Sequence, residues 1–345
     1  MRFWLLILCC FSLCAAEPEY NWNLPKGFPK PKVPPDNPMT AAKVELGRYL
    51  FYDTRLSING QSSCATCHKQ ELAFTDGKPV GVGTTGEKHS RGAMSLVNVA
   101  YSEVLTWSNP GLKTLEEQAL TPMFGEHPVE LGLKRDGGVE KMLKSDAPYQ
   151  AMFANTFPGE ADPFTITNVT RAIASFERSI ISGHSPYDRY HYYREDDAVS
   201  ESAKRGEIVY FSTNVHCFRC HGGFNFSGGG EDGAFHNTGL YNPYPEPNVG
   251  IFEYTKRPED RGKFKAPTLR NIAVTAPYMH DGSIETLDKV LDHYAAGGRA
   301  KDNPQKDPLI GGFELTADER HDLIEFLRSL TDEAVLHDPR FSNPW

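Results

Sequence analysis

Two short stretches constrain this chain more than any other feature: Cys64-Ala-Thr-Cys67-His68 and Cys217-Phe-Arg-Cys220-His221. In each, two thiols stand one helical turn apart and a histidine follows directly. This is the pattern by which a polypeptide takes on c-type haem. The thiols reach the two vinyl groups as thioethers, and the histidine is then aimed at the iron as proximal ligand. Rival uses of paired cysteines fit less well. A structural zinc site needs no histidine after each pair. A disulfide scaffold needs a smaller, more cysteine-rich chain, and a thioredoxin-like redox pair comes without a second copy. The spacing therefore predicts two covalent haem c groups. Cys64, Cys67 and His68 hold one; Cys217, Cys220 and His221 hold the other.

The remaining cysteines, Cys9, Cys10 and Cys14, fall in an N-terminal leader. Arg2 supplies a positive start, Phe3 to Leu13 an apolar run, and Cys14-Ala15-Ala16 small residues before a cut at Glu17. A lipoprotein signal would also use Cys14, but it wants a small residue where Leu13 stands. The leader reads as a signal peptide over residues 1–16 and predicts a periplasmic protein. Its apolar run is too short for the roughly 20 residues a membrane span requires, so no membrane span is expected. The net charge of −9 argues against a nucleic-acid partner. With 345 residues, the length suggests two domains.

Helical periodicity follows the same two-part plan. A helix over 40–52 leads into the first haem motif, and one over 200–211 leads into the second. Val169, Ile173, Phe176 and Ile180 share one face of a helix over 165–181. Leu287, Val290, Leu291 and Tyr294 form a stripe over 286–296. Thr316-Ala-Asp-Glu319 is a capping box that opens a helix over 316–330. Residues 17–38 read as a Pro-rich extended arm, 184–199 as a polar boundary and 222–233 as a glycine-rich loop. No alternating run argues for a substantial sheet. The predicted fold is mainly α: two cytochrome c-like haem domains with long irregular loops, 17–190 and 191–345.

Beyond the haem motifs, the chain carries Trp107, Leu115-Glu-Glu-Gln118, His127-Pro-Val-Glu130-Leu and Leu269-Arg-Asn-Ile-Ala-Val-Thr-Ala-Pro-Tyr-Met-His-Asp-Gly282. With these it resembles the bacterial di-haem cytochrome c peroxidases and their relative MauG. The segments Tyr20-Asn-Trp-Asn-Leu-Pro, Asp36-Asn-Pro-Met and Gly47-Arg-Tyr-Leu-Phe-Tyr-Asp53 resemble more narrowly MbnH, the methanobactin-associated di-haem enzymes. Those are paired with a secreted copper-binding partner.

The resemblance implies site roles. The haem on His68 is the peroxide-reactive one. Glu130 matches the distal acid that moves a proton between the peroxide oxygens, and Gln118 matches the distal amide. Two extra residues separate them compared with the peroxidase pattern. Trp107 matches the tryptophan between the haems. Thr275 and Pro277 match carbonyl ligands of a calcium ion between the haems, whose usual asparagine ligand is replaced here by Gly92. His89 lies near the loop histidine that blocks the first haem in typical peroxidases, but its spacing to Asn98 differs, and it is not taken as a ligand. His280 is expected to organise the loop around the haems.

Seventeen residues beyond Pro277, where the peroxidases place a methionine ligand of the second haem, stands Tyr294. MauG and MbnH have tyrosine there. A phenolate is a hard anionic donor that favours the higher iron oxidation states. The resemblance therefore implies an enzyme that uses hydrogen peroxide to reach a high-valent iron state. It then oxidises a side chain, foremost a tryptophan, on a secreted and copper-binding partner protein. The alternative is a peroxidase that reduces peroxide to water with electrons from a small cytochrome or cupredoxin. A non-catalytic two-haem electron carrier would need neither Glu130 nor Gln118.

Overall fold

Two helix crossings organise residues 20–228 and 234–345, which the computed structural model describes. The signal peptide and its three cysteines lie outside the described residues, as does part of the glycine-rich loop. In chain order the helices are α1 (Ala41–Tyr52), α2 (Cys64–Cys67), α3 (Leu115–Phe124), α4 (Gly138–Ser145), α5 (Ala147–Thr156), α6 (Ile166–Ser179) and α7 (Pro186–Tyr193). After them come α8 (Glu201–Tyr210), α9 (Cys217–Cys220), α10 (Phe252–Thr255), α11 (Leu287–Ala295), α12 (Ala317–Ser329) and α13 (Glu333–His337). Only two short strands are present among the described residues, β1 (Phe235–His236) and β2 (Phe264–Lys265), paired antiparallel with His236 opposite Phe264. The fold is mainly α, and no described helix is long and apolar enough to cross a membrane.

The first crossing sets α1 on α6, and the second sets α8 on α12. Each depends on a glycine. A Cβ at Gly47 would stand 1.9 Å from the Ala172 carbonyl oxygen, and one at Gly206 would stand 1.9 Å from that of Asp322. In both cases a phenylalanine one turn further along the partner helix, Phe176 or Phe326, closes against the glycine. Without side chains at the crossing points the backbones approach closely, and the motif that follows each leading helix is held at its end.

The ends of α6 and α12 are tied down identically. Asn98 and Asn271 are both fully buried and left-handed (φ 57° and 60°). Their backbone N–H groups donate to the carbonyls of Ile180 and Leu330 at 2.9 and 3.0 Å. Their side-chain oxygens accept from the N–H groups of Ser182 and Asp332 at 2.9 and 2.8 Å. Asparagine tolerates this backbone region better than other side chains, and here its amide also satisfies the buried turn.

The five helices read from periodicity are present within a residue or two of their expected ends. The polar boundary is different. Residues 186–193 form α7, and its Asp188 makes a fully buried two-pronged pair with Arg270, at 2.8 and 2.9 Å. A charged segment reads as surface when its partner lies 82 positions away. The chain end also returns: Val335, Leu336 and Phe341 join the core of the first half, and Gln70 donates to the carbonyls of Val335 and Asp338 at 3.0 and 2.9 Å.

Candidate functional site

Each haem motif is a single helical turn, α2 or α9, with the histidine as its C-terminal cap. The His68 ring nitrogen Nδ1 donates to the Phe74 carbonyl at 2.8 Å, and that of His221 to the Pro267 carbonyl at 2.9 Å. A carbonyl only accepts, so each bond places the proton on Nδ1 and leaves the Nε2 lone pair for a metal. Burial lowers both histidines, His221 to about 4, which keeps the ring neutral as a ligand must be. All four cysteines are free of disulfides. Burial pushes Cys64, Cys67 and Cys217 up, Cys67 to about 11 and Cys217 to about 12. Thiols raised in this way stay protonated at neutral pH, unlike the lowered thiols of redox or nucleophilic centres.

A large cavity opens over His221, Cys217 and Cys220. The stripe Leu287, Val290, Leu291 and Tyr294 of α11 forms one wall of it. Periodicity alone would make these residues solid core; here they face space of the cofactor's kind. Tyr294 lies in the neighbourhood of Cys217 and Cys220, and burial pushes its hydroxyl well above the usual phenol range. His280 lines the same cavity, stacked on Phe264 with ring centroids 3.7 Å apart, and its Nε2 is buried with no hydrogen-bond partner. An orphaned polar atom and a large cavity facing a histidine lone pair fit a bound haem.

Trp107 also reaches this cavity and stitches the halves together. Its indole N–H donates to the Gly92 carbonyl at 2.9 Å, while its own carbonyl accepts from Lys265 N–H at 2.9 Å. Gly92 N–H in turn donates to the His280 carbonyl at 2.9 Å. The Gly92 peptide thus serves both Trp107 and the loop of His280.

On the first haem's side, Glu130 lies within electrostatic reach of Cys64, Cys67 and His68. Its carboxylate is 3.0 Å from Nε2 of His89, and both side chains are 29% exposed. His89 therefore faces the acid. It sits on a hairpin over 81–91 that carries the bridge Val82 to Lys88. This hairpin clamps the acid's loop: Thr84 N–H donates to the Glu130 carbonyl at 2.7 Å, and Val129 N–H donates to the Glu87 carboxylate at 3.0 Å. A Cβ at Gly83 would stand 1.8 Å from the Val129 carbonyl oxygen, so only glycine allows this seat. Gln118 lies half-buried on α3, and among the described residues no hydrogen bond joins it to Glu130.

The model of the di-haem cytochrome c peroxidases matches residues 41–198. The methylamine utilization protein MauG of Methylophilus methylotrophus is 33% identical over 345 residues, 97% of this chain and 97% of that one. This chain belongs to the di-haem cytochrome c peroxidase family. Like its family, it is a peroxidase-type oxidoreductase with two haem c groups. Cytochrome c551 peroxidase of Pseudomonas aeruginosa is 30% identical, over 85% of this chain and 80% of that one. A crystal structure of a MauG-like protein associated with microbial copper homeostasis superposes with a TM-score of 0.90 at 44% identity, covering 94% of this chain and 99% of that one. The resemblance to MauG and MbnH read from the motifs is thereby upheld.

Sequence reasoning missed two parts of this di-haem site. The His89–Glu130 pair was hidden because the hairpin brings together residues 41 positions apart. The Asp307 partner of His236, at 2.7 Å, was hidden for the same reason. Against the cost of burial, bonds to Asp307 and Cys220 hold His236 up to about 10. One signal was available in the chain itself: Leu96-Val-Asn-Val-Ala100 repeats as Leu269-Arg-Asn-Ile-Ala273, which marks the equivalent turns beside the two haems.

Proposed function

We propose that this enzyme acts in the periplasm, takes oxidising power from hydrogen peroxide at the His68 haem, and spends it on a tryptophan of a secreted partner protein. Residues 17–190 and 191–345 divide this work as two haem domains. When bound, the haems supply the redox chemistry that accepts two oxidising equivalents from peroxide. The residues of the chain supply the rest. His68 and His221 present neutral Nε2 atoms as proximal ligands, and Glu130 moves a proton from the inner to the outer peroxide oxygen. Gln118 holds the bound oxygen from α3, and Trp107 conducts between the halves. Among the described residues the carbonyls of Thr275 and Pro277 accept no loop backbone hydrogen bond, and in this reading they hold calcium, with water completing the shell. Among the described residues no cluster of His, Cys, Asp and Glu side chains offers another metal site.

The observation that carries this reading is Tyr294, which faces the cavity of the second haem with its hydroxyl free of any hydrogen bond among the described residues. A tyrosine ligand there favours oxidised iron over the ferrous state that a peroxidase must reach. Likeness to a MauG-like protein associated with copper homeostasis supports a copper-binding partner. In the reaction, peroxide and a tryptophan give a hydroxylated tryptophan and water. The partner loses two electrons and two protons, and a water oxygen enters its ring.

The test compares wild type with Tyr294→Met, incubated with peroxide and the secreted copper-binding partner. Wild type should add the mass of one oxygen to the partner. Tyr294→Met should lose that product and reduce peroxide faster with reduced cytochrome c. Undiminished partner oxidation and an unchanged second-haem spectrum in Tyr294→Met would remove the ligand and the reading with it. Fast turnover of wild type with reduced cytochrome or cupredoxin would establish the peroxide-reducing alternative.

A further inference from the structure

The cavity of the second haem contains a cation that no carboxylate pairs with among the described residues. Lys265 ends β2 and lines that cavity beside Trp107 and Phe264. Its ammonium makes one long hydrogen bond, 3.4 Å to the Ser102 hydroxyl, and among the described residues no carboxylate pairs with it. Burial alone pushes it down to about 8. Three other charged groups of the wall have partners of their own. Arg270 is paired with Asp188, His236 with Asp307, and the Asp76 carboxylate accepts the Lys78 N–H at 3.0 Å.

Position also fixes where this ammonium can go. The backbone N–H of Lys265 is held by the Trp107 carbonyl, and the preceding residue, Phe264, pairs with His236 across the two strands. The side chain therefore enters the cavity from the Trp107 side. A haem carries two propionate carboxylates on one edge, and a buried lysine without a counter-ion is costly unless such a group meets it.

We propose that Lys265 is a binding residue for a propionate carboxylate of the second haem. The pairing would set a positive charge at a propionate edge, on the side of the cavity that Trp107 lines. At the corresponding position of the first half's repeat, two residues before Met94 as Lys265 is before Pro267, stands Gly92. The cation thus raises the potential of the second haem alone. This inference rests on haem attachment at Cys217 and Cys220 and not on the identity of the partner.

The experiment is a potentiometric titration of the holoenzyme, wild type against Lys265→Met and Lys265→Arg, with resonance Raman of the propionate bending mode. Lys265→Met should shift the second haem to a more negative potential and move its propionate band, with the first haem unchanged. Lys265→Arg should stay near wild type. If Lys265→Met leaves the second haem's potential and propionate band as they are, the assignment is overturned. Should Lys265→Met lose a haem from the pyridine haemochrome count, Lys265→Arg decides: recovery of two haems upholds the ion pair, and an equal loss overturns it.

Discussion

The two haem-bearing halves are built alike and equipped differently. In both, a glycine lets the leading helix touch its partner: Gly47 against Ala172, and Gly206 against Asp322. In both, a hydroxyl closes the loop behind the proximal histidine, Ser95 on the Ala73 carbonyl and Thr268 on the Asn225 carbonyl, each at 2.6 Å. In both, a buried asparagine ends the long helix. The differences lie at equivalent places in this frame. Where the first half has Val97, the second has Arg270 and its buried pair with Asp188. Where the second half turns Leu327 towards its haem cavity, the first has Glu177, buried with one carboxylate oxygen unpartnered. Over the first motif lies the hairpin with His89 and Glu130; over the second lies α11 with Tyr294. One scaffold thus positions two haem motifs, and the side chains laid on it give the two sites different surroundings.

The largest break in this pairing should come at Arg270. Arg270→Leu strands the Asp188 carboxylate in a fully buried site, which costs about 3–5 kcal/mol. Val97→Leu, at the equivalent place, should cost no more than about 1.5 kcal/mol. Denaturant melts of the two holoproteins measure the contrast. Equal losses would mean that the Asp188 pair is not specific to the second half's stability.

Glu177 sharpens the contrast through pH. Burial pushes its carboxyl up to about 8. The unfolded chain releases that proton near ~4.3, so between there and pH 8 the unfolded state binds fewer protons and stability falls as pH rises. Glu177→Gln should remove this loss and gain roughly 4–5 kcal/mol at pH 8, with little change at pH 4. Thermal melts across pH check it, and a gain independent of pH would assign the effect to packing.

The shared frame should respond equally in both halves. Gly47→Ala and Gly206→Ala each force a Cβ onto a backbone carbonyl and should cost about 1–3 kcal/mol. Smaller still, Ser95→Ala and Thr268→Val each remove one hydrogen bond behind a proximal histidine and should cost about 1 kcal/mol. Matching values within each pair would confirm the equivalence. A glycine pair that differs by more than about 2 kcal/mol would show that one crossing, and not both, holds the fold.

The amino-acid sequence alone determined the cofactor chemistry and the helical frame of this protein. Each haem's two thiols and proximal histidine fall within five residues, so attachment and the proximal ligand are local and readable. Helices such as α6 and α12 are equally legible, because a 3.6-residue period and a capping box are properties of neighbours in the chain. Tyr294 could be reached too, by its count from Pro277, although its stripe reads as core until the cavity beside it is seen. Only the tertiary structure decided which polar groups meet: Asp188 with Arg270, His89 with Glu130, Trp107 between Gly92 and Lys265. Each pair joins segments far apart in sequence. Their alignment depends on close helix crossings and clamped loops, and no local pattern of residues carries that information.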